Sequence, residues 1–113
     1  MRPGQLHPNE LELAILERLA QDNPWLQGPF TMLHVLSRKY TGVGCYTEFL
    51  CEVLERPDDP SPGLHLEVSG VPLGMVAVLF CHGTSPKCLE LCTYGSDHWD
   101  GTFESFSFPV AGS

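Results

Sequence analysis

The sequence is poor in bases. Six lysines and arginines stand against fourteen aspartates and glutamates, a formal charge of −8 over 113 residues. Nucleic-acid binding draws its affinity from phosphates neutralised by Lys and Arg, and six scattered bases with one adjacent pair, Arg38-Lys39, make no such patch. The same deficit disfavours anionic membranes. No nucleic acid and no membrane are therefore expected as partners, whereas an acidic surface suits solubility or a basic partner.

Long apolar runs are missing too. The longest, Val71 to Cys81, falls far short of the ~20 residues that span a bilayer. The first residues lead into Glu10, Glu12 and Glu17 where a secretory signal would need an apolar stretch, so the expected location is cytoplasmic. The five cysteines (Cys45, Cys51, Cys81, Cys88 and Cys92) are odd in number and form no Cys-x-x-Cys motif. Without a signal, that argues against a disulfide framework, and the thiols read as reduced, small apolar residues in strands. There is no internal repeat and no low-complexity tract. What remains is 42% hydrophobic and 18% charged, a globular composition at the usual length of one domain, 1–113.

Helix signals come first. Asn9 can cap, with Glu12 three residues on as in a capping box. At 100° per residue, Leu11, Leu13, Ile15, Leu16, Leu19 and Ala20 share one arc, opposite Glu10, Glu17, Arg18 and Gln21. Glu12 interrupts the arc but sits in the first turn, where a carboxylate is favoured, and Asn23-Pro24 ends the helix. Phe30, Leu33, Leu36 and Tyr40 recur at spacings of three and four. They predict a second helix opened by Gly28-Pro29 and ended by a left-handed cap at Gly42. Arg38-Lys39 would then sit near its C-terminus.

From Val43 the pattern changes to β-branched and aromatic residues, predicting a strand through Leu50. Glu55 to Gly63, with three prolines and adjacent acids, reads as a solvated loop. Leu64, Leu66 and Val68 then alternate with His65, Glu67 and Ser69. Facing Val68 with Leu73, Leu66 with Met75, Leu64 with Ala77, Leu79 with Leu91 and Cys81 with Leu89 puts all of them on one side of a sheet. A slip of one residue would bury Glu67 or Glu90. A last strand over Thr102–Phe108 adds Phe106 and Phe108, or instead Phe103. The expected fold is α+β: two N-terminal helices packed on one face of an antiparallel meander sheet of four to five strands.

The opposite side of that sheet carries Val76, Val78, Phe80, Cys92 and Tyr94 at its centre, rimmed by His65, Glu67, His82, Cys88 and Glu90. A solvent face usually reads polar throughout. Three readings stand open: another segment of the chain covers it, a partner or second copy does, or it holds a small molecule.

Candidate chemistry is thin. A metal needs convergent ligands. Cys88 and Cys92, four apart on a strand, are roughly 13 Å apart, which leaves His82, Cys88 and His98 as the residues that would have to meet. Asp97 and Asp100 read as turn formers, with Trp99 as the anchor of its loop. Cys81 and His82 are strand neighbours and point apart, and Cys45 or Cys51 with His34 is the remaining thiol–imidazole pairing. Thr41-Gly42-Val43-Gly44 follows a predicted helix and enters a strand instead of opening a helix, which favours a cap and a strand-entry bulge over a phosphate loop.

Two stretches, Thr41-Gly42-Val43-Gly44-Cys45-Tyr46-Thr47-Glu48-Phe49 and Leu89-Glu90-Leu91-Cys92-Thr93-Tyr94-Gly95 followed by Trp99, resemble a family of small acidic bacterial proteins of unknown function. Those proteins show a "TGVGFYT-F" segment and a later "LE-YTYG" plus Trp segment. Cys45 and Cys92 depart from that pattern. The resemblance implies no established activity and carries over no catalytic residues. By style alone the chain also resembles immunity proteins that neutralise toxins.

The expected function is a non-catalytic binding or protein-interaction domain, with a protein partner or homodimer on Val76, Val78, Phe80, Cys92 and Tyr94, and no cofactor. The alternatives are a small-ligand- or metal-binding enzyme using His82, Cys88 and His98, and an immunity-type inhibitor.

Overall fold

A computed structural model of the chain describes residues 7–51, 59–95 and 97–109. Helix α1 spans Glu10–Asp22. The Asn9 side chain accepts from the Glu12 N–H and the Glu12 carboxylate accepts from the Asn9 N–H, both at 2.8 Å, so the expected capping box forms. Leu11, Ile15, Leu16 and Leu19 are fully buried against the sheet, each contributing roughly 1.5–3 kcal/mol of burial.

Six strands form one antiparallel sheet: β1 Val35–Tyr40, β2 Gly44–Phe49, β3 Gly63–Val68, β4 Val71–His82, β5 Ser85–Thr93 and β6 Phe106–Ser107, in the order β1-β2-β5-β4-β3-β6. This corrects the expectation of two helices on four to five strands. Among the described residues α1 is the only α-helix, and the region expected as the second helix holds a 3-10 turn at Phe30–Met32 followed by β1.

The spacing of Phe30, Leu33, Leu36 and Tyr40 misled because it matched a helical stripe while only its first half is covered. Phe30 is buried and Leu33 partly so, but Leu36 is 58% and Tyr40 49% exposed. Leu36 is the extra residue where the pairing shifts between Val35 and Ser37, so a bulge carries it out of register. Gly42 does adopt the left-handed conformation, at φ 94°, but as the turn of the β1–β2 hairpin.

Strand pairing also explains Glu12. Its carboxylate, 2% exposed, accepts from Arg38 Nε and Nη2 at 2.9 and 2.7 Å and from the Thr47 hydroxyl at 2.7 Å. Arg38 and Thr47 are cross-strand partners on β1 and β2, so Arg38 serves the sheet rather than a helix end. Burial works against ionisation of Glu12, and the bonds from Arg38, Thr47 and the Asn9 N–H outweigh it, holding its pKa below the ordinary carboxylate value. The cap of α1 is thus also the clamp that fixes α1 on the sheet.

In the β3–β4 hairpin Leu66 faces Met75 and Leu64 faces Ala77 as expected, but Val68 meets Val71 across a turn at Ser69-Gly70, with an irregularity absorbing the difference. In the β4–β5 hairpin Leu79 faces Leu89 and Ala77 faces Leu91, two positions from the expected pairing, because His82 pairs with Ser85 over a tight turn at Gly83-Thr84. A displacement of two preserves side. Leu66, Met75, Ala77, Leu79, Leu89 and Leu91 are all buried, Glu67 is exposed and Glu90 half-buried on the far face.

Most of the loop expected at Glu55–Gly63 lies outside the described residues. Its end runs beside β4, where the Leu79 and Cys81 N–H groups donate to the carbonyls of Pro62 and Pro60 at 2.8 and 3.1 Å. The last strand is only Phe106–Ser107, shorter than expected. Phe103, Phe106 and Phe108 all pack against the core, because the chain bends on either side of so short a strand. The Ser69 hydroxyl accepts from the Glu104 and Ser105 N–H groups and holds that segment in place.

Candidate functional site

The far face of the sheet is a grid set by the register. One row runs Gly44, Cys92, Val76, His65; the next Tyr46, Glu90, Val78, Gly63; the third Glu48, Cys88, Phe80. Val76, Val78, Cys88 and Cys92 are half-buried, and Phe80 and Tyr46 are exposed at 42% and 40%. Four of the five expected surface residues thus share this face by register, and Tyr94, beyond the end of β5, joins it through its hydroxyl contact and ring stacking with His65. No described helix crosses it: α1 covers the other side.

Two polar pairs frame the apolar centre. His65 meets Tyr94, and the Tyr46 hydroxyl donates to Glu90, which raises the Tyr46 phenol above its ordinary pKa. Among the described residues, Glu48, Glu67 and Glu90 on this face outnumber the bases beside them, Lys39 at a register position and Lys87 next to Cys88. Burial and the nearby Glu48 carboxylate push the Cys88 thiol up, so it stays neutral at physiological pH and acts as a small apolar group.

The residues expected for a metal do not converge. His82 pairs with Ser85, Cys88 with Phe80, and His98 is exposed in the segment after β5. No group of three or more His, Cys, Asp or Glu side chains among the described residues is placed to hold one ion. The Asp100 carboxylate accepts from the N–H and hydroxyl of Thr102, and Trp99, 5% exposed, donates from Nε1 to the Thr102 carbonyl at 2.8 Å, as expected of a turn former and an anchor.

One pairing escaped sequence reasoning. Cys51 Sγ lies 3.7 Å from His82 Nδ1, within hydrogen-bond range for sulfur. Cys51 follows β2 and His82 ends β4, with β5 between these strands in the sheet, so no short spacing in the chain could reveal it. Cys51 lines a cavity of ≈440 Å³ together with Gln27, Pro29, Leu33, Leu50 and Thr84 among others, and His82 stands behind the thiol, outside the lining. His34, the expected imidazole for Cys51, is exposed, its ring 5.5 Å from that of His7.

No family model, no curated protein and no solved structure matches this chain.

Proposed function

We propose that this chain is a non-catalytic protein-interaction domain whose far sheet face, centred on Val76, Val78, Phe80, Cys92 and Tyr94, receives a basic partner protein. The observation that carries the reading is an apolar grid on the side away from α1, crossed by no described helix and rimmed by acids. Exposed apolar patches rimmed by polar groups mark interaction surfaces.

Area and charge favour a basic partner over a second copy. At strand spacings near 4.8 Å and a rise near 3.3 Å per residue, the grid over β2, β5, β4 and β3 projects to roughly 300 Å². A standard interface takes about 800 Å² from each side. The partner must therefore reach the rim, where, among the described residues, Glu48, Glu67 and Glu90 outnumber Lys39 and Lys87. Two copies face to face would double that excess at a site already too small. A partner presenting Lys or Arg around an apolar plug would neutralise it.

The test is selection of a phage-displayed random peptide library on the folded protein, followed by amide chemical-shift mapping with a selected peptide. Expected are sequences with an apolar residue flanked by Lys or Arg, shifts in β2, β4 and β5, and binding lost on Phe80→Glu. Shifts confined elsewhere, or binding indifferent to Phe80→Glu, refute the reading. A dimer at sedimentation equilibrium that Phe80→Glu dissolves would also refute it, in favour of self-association.

A further inference from the structure

The five thiols differ sharply in surroundings. Cys45 and Cys81 are each 3% exposed. Burial pushes both up, Cys81 to about 11 with Asp59 adding to it. Cys88 is pushed up in the same way. Cys92 donates its S–H to the Thr93 carbonyl at 3.4 Å. Cys51 alone among them has an imidazole within hydrogen-bond range and a cavity beside it. A thiol needs a nearby base or cation to become the attacking thiolate.

We propose that Cys51 is a thiol–disulfide exchange site, with His82 as its base and small neutral or cationic disulfides as its partners. In the tautomer protonated at Nε2, His82 Nδ1 takes the Cys51 proton. The thiolate attacks one sulfur of a disulfide R–S–S–R, forming the Cys51–S–S–R bond and breaking the original S–S bond. The departing RS⁻ leaves with the bonding pair and takes the proton from His82. The small disulfide is the oxidant: one of its sulfurs is reduced to a thiol while Cys51 is oxidised. The result is a reversible cap on Cys51.

The size and charge of the site select the partner. A volume of ≈440 Å³ lies in the range of small-molecule sites. Among the described residues no lysine or arginine lines it: Gln27 and Thr84 supply polar groups, Pro29, Leu33 and Leu50 apolar ones. A described acid lies close by: Asp59 Oδ1 accepts from the Gly83 N–H at 2.9 Å, next to His82. With a chain charge of −8, an anionic disulfide is repelled and a cationic one attracted.

The experiment treats reduced protein with substoichiometric cystamine, hydroxyethyl disulfide or oxidised glutathione and locates the mixed disulfide by peptide mass spectrometry. Expected is first modification at Cys51, fastest with cystamine and slowest with oxidised glutathione. His82→Gln slows Cys51 about tenfold near pH 7, and the difference fades in alkali, where thiolates form without a base. First modification at Cys88 or Cys92, an unchanged rate in His82→Gln, or a preference for the anionic probe overturns the proposal. If His82→Gln does not fold, the wild-type pH profile decides. A Cys51 rate that changes less than about threefold between about pH 6.5 and pH 8 supports the pair, and a rise of about tenfold per pH unit overturns it.

Discussion

The Thr47 hydroxyl donates to the Glu12 carboxylate over 2.7 Å, joining the middle of β2 to the first turn of α1 across 35 positions of sequence. Both groups are buried, at 1% and 2% exposure, so the bond has no solvent to replace it. Thr47→Val keeps the shape and β-branching and deletes only the donor. The expected loss is about 1–2 kcal/mol, read as a lower urea midpoint with an unchanged slope. No loss would mean that Arg38 and the Asn9 N–H satisfy the carboxylate by themselves.

Glu12 also sets an acid limit. Its folded pKa lies below the ordinary 4.5. Folding therefore gains from its ionised form in full above that value, and the gain is lost as pH falls through the lower folded value. Glu12→Gln leaves Arg38 without its buried counter-charge and should cost about 3 kcal/mol near pH 7. The gap to wild type should narrow steadily below about pH 4.5. Urea titrations of both proteins at several pH values check this, and a gap that stays constant into acid would remove Glu12 as its source.

How far the sequence was legible follows from the range of each signal. The helix start at Asn9 and Glu12 was readable because a capping box spans four residues. The faces of β3, β4 and β5 were readable because alternation survives a displacement of two, as the Leu79–Leu89 pairing shows. The strand β1 was not, because Leu36 sits in a bulge and Tyr40 at the strand end, so exposed residues mimicked a helical stripe. The Glu12–Arg38–Thr47 clamp and the Cys51–His82 pair join residues 26 to 35 positions apart, where spacing along one element carries no information. The acidic, apolar-centred face was found because it is the reverse side of the same alternation.

The misread segment gives a direct check of the fold. Val35 is 1% exposed, whereas Leu36 beside it is 58% exposed in the bulge. Leu36→Lys should change stability by no more than about 0.5 kcal/mol, and Val35→Ala should cost about 2 kcal/mol. On a helix, Leu36 would share the buried stripe with Phe30 and Leu33, and the order would reverse. Thermal or urea unfolding of the two variants separates the cases.

Phe80 offers a test in which stability and binding part company. Its ring is 42% exposed at the end of the third row of the far face, and its cross-strand neighbour Cys88 is only half-buried. Phe80→Glu should therefore leave the unfolding midpoint within about 1 kcal/mol of wild type while abolishing capture of basic peptides. A large loss of stability instead would mean that the ring is part of the fold's own packing.

Among the described glycines, Gly44 leaves an added Cβ the least room. A Cβ there would lie 1.9 Å from the Leu91 carbonyl oxygen and 3.0 Å from the Cys92 Cα. These are backbone atoms of β5, which cannot swing aside as a side chain can. Gly44→Ala must push the start of β2 off β5, straining the bond from the Thr93 N–H to the Val43 carbonyl and the turn bond from the Thr41 N–H to the Gly44 carbonyl. The expected cost is about 3 kcal/mol, at the upper end for overpacking. Gly42, two residues earlier, is the control: at φ 94° it has no atom within 4 Å of an added Cβ. Gly42→Ala therefore meets only the backbone cost of a left-handed residue, about 1–2 kcal/mol. The ratio of the two losses, measured by urea unfolding, separates steric contact from conformational preference. Equal losses would mean that β2 can lift away from β5 at this corner without disturbing the pairing that follows.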